Sequence, residues 1–137
     1  MLAEERTDLA ARLGFQPGQV VQEFGYDEDT DQQFREAIKE VTGKELVDEE
    51  YADLVDAVII WFRDDNERLA DVLGDASGLV EDGAPLWLLT PKTGREKYID
   101  SEVIHVATSA TGLLQVGSVS AGKDWSGLRL APREASR

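Results

Sequence analysis

Ala57-Val58-Ile59-Ile60-Trp61-Phe62 is a run of six apolar residues with no polar alternation. A strand that reads this way must bury both faces, the condition of a central strand in a parallel sheet covered by helices. The spacing predicts a strand over 55–62. Leu86-Trp87-Leu88-Leu89 reads the same way and predicts a second such strand over 84–90, stopped at Pro91. The two are expected to be parallel neighbours.

Outward from this pair, strand and helix signals alternate. Residues 3–13 predict a short amphipathic helix with Leu9 and Leu13 on one face, stopped by Gly14. Pro17-Gly18 turns into a first strand over 19–24. Thr30 and Gln33 have capping-box spacing, and Asp31 adds favourable charge to the first turn of a helix carrying Phe34, Ile38 and Val41 and closed by Gly43. Leu46-Val47 predicts a short second strand before Asp48-Glu49-Glu50. Asp64 with Glu67 is a cap pair for a helix that turns Leu69, Val72 and Leu73 inward, and 78–83 is a loop. Asp100 or Ser101 caps a helix with Val103, Ile104 and Ala107, ended at Gly112. Strands over 113–120 and 125–131, separated by Ala121-Gly122-Lys123-Asp124, form a hairpin. Such alternation predicts a single three-layer, Rossmann-like α/β domain over 14–132. Its sheet is expected to be mostly parallel with a C-terminal β-hairpin, and 133–137 a frayed tail.

Composition narrows the classes of function. The chain has 137 residues, 42% hydrophobic and 31% charged, which suits one soluble core. It has no cysteine, so disulfides, thiolate metal sites and thiol nucleophiles are excluded. No apolar run approaches the length of about 18 residues that spans a bilayer. The N-terminus lacks the basic-then-apolar pattern of a secretory signal, so a cytoplasmic location is expected. The net charge is −14, unevenly spread. Residues 23–67 hold sixteen acids and four bases, whereas 92–137 hold five acids and seven bases. That balance disfavours nucleic acid and anionic membrane as partners and favours a protein with a basic surface.

Two segments carry a resemblance. Gly14-Phe15-Gln16-Pro17-Gly18-Gln19-Val20-Val21 resembles the G-x-x-P-G-x-x-V entry to the first strand of class I methyltransferase-like domains. Asp124-Trp125-Ser126-Gly127-Leu128-Arg129 resembles the D/E-T/D-W-S-G-L-K/R ending of a bacterial domain family of unknown function, whose members look like shortened methyltransferase domains. Pro91-Lys92 after the Trp87 strand fits the same pattern. The resemblance covers nearly the whole chain. It implies the sheet order 46–47, 19–24, 55–62, 84–90, 125–131, 113–120 (second, first, third, fourth, sixth, fifth in chain order), with only the strand from 125 reversed. It does not imply catalysis. A working methyltransferase would show a glycine-rich loop after the first strand, where this chain has Gly25 alone, followed by Asp27, Glu28 and Asp29. Those carboxylates would repel phosphate and crowd the amino-acid tail of a sulfonium cofactor. Asp48 stands near the place of a ribose-holding acid, yet 48–50 serves equally well as a polar turn.

Other motifs fail on physical grounds. Residues 117–124 have the glycine and lysine spacing of a phosphate loop, but Asp124 replaces the metal-binding hydroxyl and a strand follows instead of a helix. Asp27, Asp29 and Asp31 alternate like the start of a calcium loop, but Gln32 stands where glycine is needed and Ile38 where the bidentate glutamate belongs. His105, the single histidine, cannot assemble a multi-histidine metal site. Lys92-Thr93-Gly94 reads as a glycine turn after the strand.

Two hypotheses of function follow. The first is a non-enzymatic interaction or regulatory module, with Asp27, Glu28, Asp29, Asp64 and Asp65 forming an acidic edge that docks a basic partner protein. No catalytic residue, metal or cofactor is assigned to it. The second is a small protein or methyltransferase that binds S-adenosylmethionine or a nucleotide-like ligand in an altered pocket. The basic loop with Lys92, Arg95 and Lys97 lies on the carboxyl edge where open α/β sheets place ligands. Trp125, Ser126 and Gly127 read as a structural signature, the indole filling the seam between hairpin and sheet, or else as a functional one. A homodimer is a third possibility, with the strand over 113–120 pairing with its copy and Val116 and Val119 supporting the contact.

Overall fold

The computed structural model describes residues 13–63, 68–79 and 84–132. Residues 3–12 of the predicted first helix, the Asp64–Glu67 cap pair, residues 80–83 and the tail 133–137 lie outside the described residues.

The described elements are β1 (Val21–Phe24), α1 (Gln32–Thr42), β2 (Ala57–Trp61), α2 (Leu69–Ser77), β3 (Leu86–Pro91), α3 (Ser101–Ala110), β4 (Leu113–Ser120) and β5 (Trp125–Pro132). They form an α/β fold whose five-stranded sheet has the order β1-β2-β3-β5-β4. β1–β2 and β2–β3 are parallel, whereas β3–β5 and β5–β4 are antiparallel. The sheet is therefore mixed, with two parallel and two antiparallel ladders rather than mostly parallel ones, and β5 is the one reversed strand, as expected. Reversing β5 between β3 and β4 makes both of its ladders antiparallel.

The expected second strand at 46–47 is also corrected, and the six-strand order with it. Val47 makes a single parallel bridge with Gln22. Its N–H donates to the Val21 carbonyl at 3.0 Å and its carbonyl accepts from Glu23 N–H at 2.9 Å. Beyond it the Gln22 side-chain amide donates to the Asp48 and Tyr51 carbonyls at 2.9 and 3.1 Å. A side chain thus binds the acidic turn where a strand would have continued the ladder.

β2 and β3 are buried along their whole length, as their unbroken apolar sequence requires. On one face Val21, Ile59, Trp61, Trp87 and Leu89 pack with Phe34, Ala37 and Ile38 of α1 and with Leu13 and Phe15. On the other, Val58, Ile60, Leu86, Leu88 and Leu130 pack with Leu69 and Leu73 of α2 and Ile104 and Ala107 of α3. The cap of α1 differs from expectation. Asp31, not Thr30, accepts the Phe34 N–H at 2.7 Å, because Thr30 turns its hydroxyl back to the Asp27 carbonyl at 2.9 Å. Gly43 closes the helix, its N–H donating to the Lys39 carbonyl. Asp100 is the N-cap of α3, without a side-chain cap bond. Among the described residues no helix is long and apolar enough to cross a membrane.

Trp87 is 4% exposed and its Nε1–H donates to the Leu13 carbonyl at 3.0 Å, joining β3 to the segment that precedes β1. Trp87→Ala is expected to cost about 3–5 kcal/mol in urea unfolding, as a buried large-to-small change. A loss below about 1 kcal/mol would show that the ring does not carry the core.

Candidate functional site

Side chains alternate across β1, so Gln22 faces α2 and α3 while Glu23 faces α1. Glu23 is 5% exposed, and a carboxylate there is costly unless its lone pairs are filled. Three donors fill them: Arg35 Nε at 2.6 Å, Arg35 Nη2 at 2.9 Å and Trp61 Nε1 at 2.8 Å. Burial alone would lower the Arg35 pKa, but the hydrogen bonds and charge of Glu23 outweigh it and leave that pKa raised. The Tyr26 ring covers the guanidinium at 4.2 Å, a cation–π contact.

Gly25 follows at φ +76°, and a Cβ there would collide with the Trp61 carbonyl oxygen. Only glycine permits this approach. The single glycine of the turn is thus used to lay the exit of β1 against the backbone of β2. Its N–H donates to Glu49 Oε2 at 2.8 Å.

Arg63 closes the same edge. Nη1 donates to the Gly25 carbonyl at 3.0 Å, Nε donates to Asp29 Oδ2 at 2.8 Å, and Nη2 donates to Asp29 Oδ1. The guanidinium lies 5.1 Å from the centre of the Trp125 ring. Trp125 is 3% exposed, donates Nε1–H to the Asp29 carbonyl at 2.9 Å, and stands edge-on to Trp61 at 4.9 Å. The Arg63 hydrogen bonds hold the Asp29 carboxyl below its ordinary range, opposed by partial burial and helped by the charges of Arg63 and Lys97.

The sequence-predicted residues divide accordingly. Asp27 and Glu28 are exposed, with Asp27 Oδ1 accepting the Glu28 N–H at 2.7 Å. Asp29 is exposed but ion-paired with Arg63. Asp64 and Asp65 lie outside the described residues. In the basic loop, Lys92 donates to Ser120 Oγ at 2.7 Å and the Gly122 carbonyl at 2.9 Å, and Arg95 pairs with Asp124 at 3.0 Å. Both tie down the hairpin tip. Lys97 takes φ +63° and contributes charge towards Asp29. Gly127 packs against Leu89 and Val119, and Ser126 is half-buried between Thr90 and Ser120.

Sequence reasoning missed the Glu23–Arg35 pair and Tyr26. With Leu46 and the acidic run 48–50 they line an open cavity of about 460 Å³. The available signal was the shared edge: 24–29 and 48–50 both leave the carboxyl side of the sheet. Among the described residues of this wall the one cation, Arg35, is already bound to Glu23, so the cavity offers mainly acceptors and suits a cationic group better than a phosphate. Among the described residues no group of three or more His, Asp or Glu could hold a metal ion.

A family model described as "Protein of unknown function (DUF3052)" matches residues 10–134. An uncharacterized protein of Mycobacterium tuberculosis strain H37Rv is 43% identical over 129 residues, covering 93% of this chain and 80% of that one. An uncharacterized protein of Mycobacterium bovis aligns with the same figures. Among solved structures, magnesium protoporphyrin IX methyltransferase from Synechocystis PCC 6803 superposes with a TM-score of 0.58 at 13% identity, over 95% of this chain and 79% of that one. A SAM-dependent methyltransferase from Aquifex aeolicus gives 0.55 at 16% identity, over 92% and 88%. The pyocyanin biosynthetic protein PhzM gives 0.66 at 9% identity, over 93% of this chain and 54% of that one. At such identities the likeness is one of fold.

The Asp29–Arg63 pair has a pH signature. Because the folded carboxyl titrates below its ordinary value of 3.8, its contribution is complete above that value and is lost as pH falls through the folded pKa. Asp29→Asn is expected to lower the melting temperature at neutral pH. The gap to the parent protein should narrow as the solution is acidified below the carboxylate range. A gap independent of pH would show that the charge of Asp29 is not what holds Arg63.

Proposed function

The chain belongs to the family described as "Protein of unknown function (DUF3052)" and has a methyltransferase-like fold, and from that premise we propose that it is a non-enzymatic interaction module whose acidic edge docks a basic partner protein. One observation carries the reading. The turn after β1, which an open α/β sheet leaves free for a ligand, is occupied by the chain's own groups. The Gly25 backbone lies against the Trp61 carbonyl, and Arg63 and Trp125 are committed to Asp29. These residues do not fit the amino-acid tail of a sulfonium cofactor.

Asp27, Glu28 and the acidic run 48–50 remain exposed on this edge, beside the half-exposed Tyr26. Facing a basic surface, they would mainly raise the association rate, in a salt-sensitive way. Asp29 belongs to this surface by position, but its pairing with Arg63 makes it a structural residue as well. The alternative is a small-ligand protein that takes S-adenosylmethionine or a nucleotide-like molecule in the cavity beside Asp48. It draws support from that cavity and the fold.

Combined Asp27→Lys, Glu28→Lys and Glu50→Lys reversals test the proposal while leaving Asp29 in place. They are expected to abolish low-salt capture of basic cellular partners. Stability should change by no more than about 0.5 kcal/mol per site, as for other surface substitutions. Undiminished capture of the same partners would overturn the docking reading. Calorimetric titration with S-adenosylmethionine and ATP should give no binding heat. Micromolar binding removed by Asp48→Ala would establish the alternative.

A further inference from the structure

The two edges of the sheet are treated differently. The β1 edge is covered by the chain through Val47, which exchanges two main-chain hydrogen bonds with it. Among the described residues nothing pairs with the β4 edge. β4 has no charge and no proline over eight residues, and 114–118 are exposed without interruption. Edge strands usually carry a lysine, a proline or a cover to block pairing with another chain. A bulge between Gln115 and Gly117 leaves 117–120 as the regular part, with Val116 standing out at 53% exposure.

We infer that β4 is the contact surface for a second copy of this chain, pairing antiparallel across a two-fold axis at Val119. The Ala121 N–H donates to the Trp125 carbonyl at 2.9 Å, which makes those two a hydrogen-bonded pair. Alternation along the ladder then turns the backbone N–H and C=O of Ser118 and Ser120 outward. About an axis at Val119, Ser118 meets Ser120 of the copy and Ser120 meets Ser118, an isologous contact in which each donor finds its acceptor. The small serine side chains admit the second backbone, and the exposed Leu114 and Val116 supply apolar margin.

Charge selects the occupant. With a net −14, two copies repel through most of their surface. Residues 103–122 contain no Asp, Glu, Lys or Arg, and β4 lies within them. Copies can therefore approach here with no charge contributed by β4 itself, the nearest being the Lys92 ammonium held on Ser120 Oγ. A basic partner gains nothing at this edge that the acidic edge does not offer better.

Sedimentation velocity and light scattering of the whole chain, across concentration and salt, test this. The expected result is a reversible rise from the 15.1 kDa monomer to twice that mass, favoured by salt because salt screens the repulsion. Docking of a basic partner has the opposite salt dependence and is lost in the combined Asp27→Lys, Glu28→Lys and Glu50→Lys protein, which should still dimerise, so the two readings fail separately. Ser118→Pro deletes an outward N–H at a position where an edge strand tolerates proline, and is expected to halve the mass with an unchanged circular dichroism spectrum. Val116→Lys places a charge at the margin and should weaken the dimer, and it decides the matter if the proline variant does not fold. A monomer at every concentration, a dimer unaffected by both variants, or growth beyond two copies would overturn the inference.

Discussion

A buried carboxylate governs the architecture of this sheet edge. A carboxylate buried in the core needs donors, and the three that reach Glu23 come from two different elements, Arg35 on α1 and the Trp61 indole on β2. Satisfying them fixes how α1 is rolled against β1 and where the Trp61 ring lies. That ring then presents its surroundings to Phe34 at 5.9 Å and to Trp125 at 4.9 Å, both edge to face. The start of β5 is thus located by a ring that is itself located by Glu23.

The same edge shows how the ligand-facing groups of a methyltransferase-like scaffold can be committed within the chain. Backbone and cationic donors at the carboxyl ends of parallel strands are what such folds offer to ligands. Here Gly25 is consumed by close packing, Arg63 by Asp29, and Lys92 and Arg95 by the hairpin tip. Low identity with its structural neighbours leaves the layers intact while the loops are rewritten, because layers depend on apolar pattern and loops on individual polar groups.

What was legible follows that division. β2 and β3 announce themselves by unbroken apolar runs, and the hairpin by its Gly-Lys-Asp turn between two strand patterns. The end of α1 is marked by Gly43. The cap at its start was ambiguous because Thr30 and Asp31 are both able acceptors, and only geometry decides which oxygen reaches the Phe34 N–H. Leu46-Val47 is too short to distinguish a strand from a bridge. Glu23 is invisible as a buried charge because its partners lie 12 and 38 residues away. For the same reason Asp29 looked equivalent to Asp27 and Glu28, although it alone of the three is bound by Arg63.

The position of β5 has a kinetic consequence. It is the last described strand in chain order, yet it lies between β3 and β4, so β3 gains its second neighbour only when β5 docks. Until then the apolar strand Leu86–Pro91 has one side without a neighbour, and β4, paired with β5 in the local hairpin, joins the sheet only through it. Non-local closure of this kind slows folding and lengthens the life of species with open edges. A partly folded chain with β1, β2 and β3 already assembled would hold an uncharged, hydrophobic edge open for as long as β5 takes to insert.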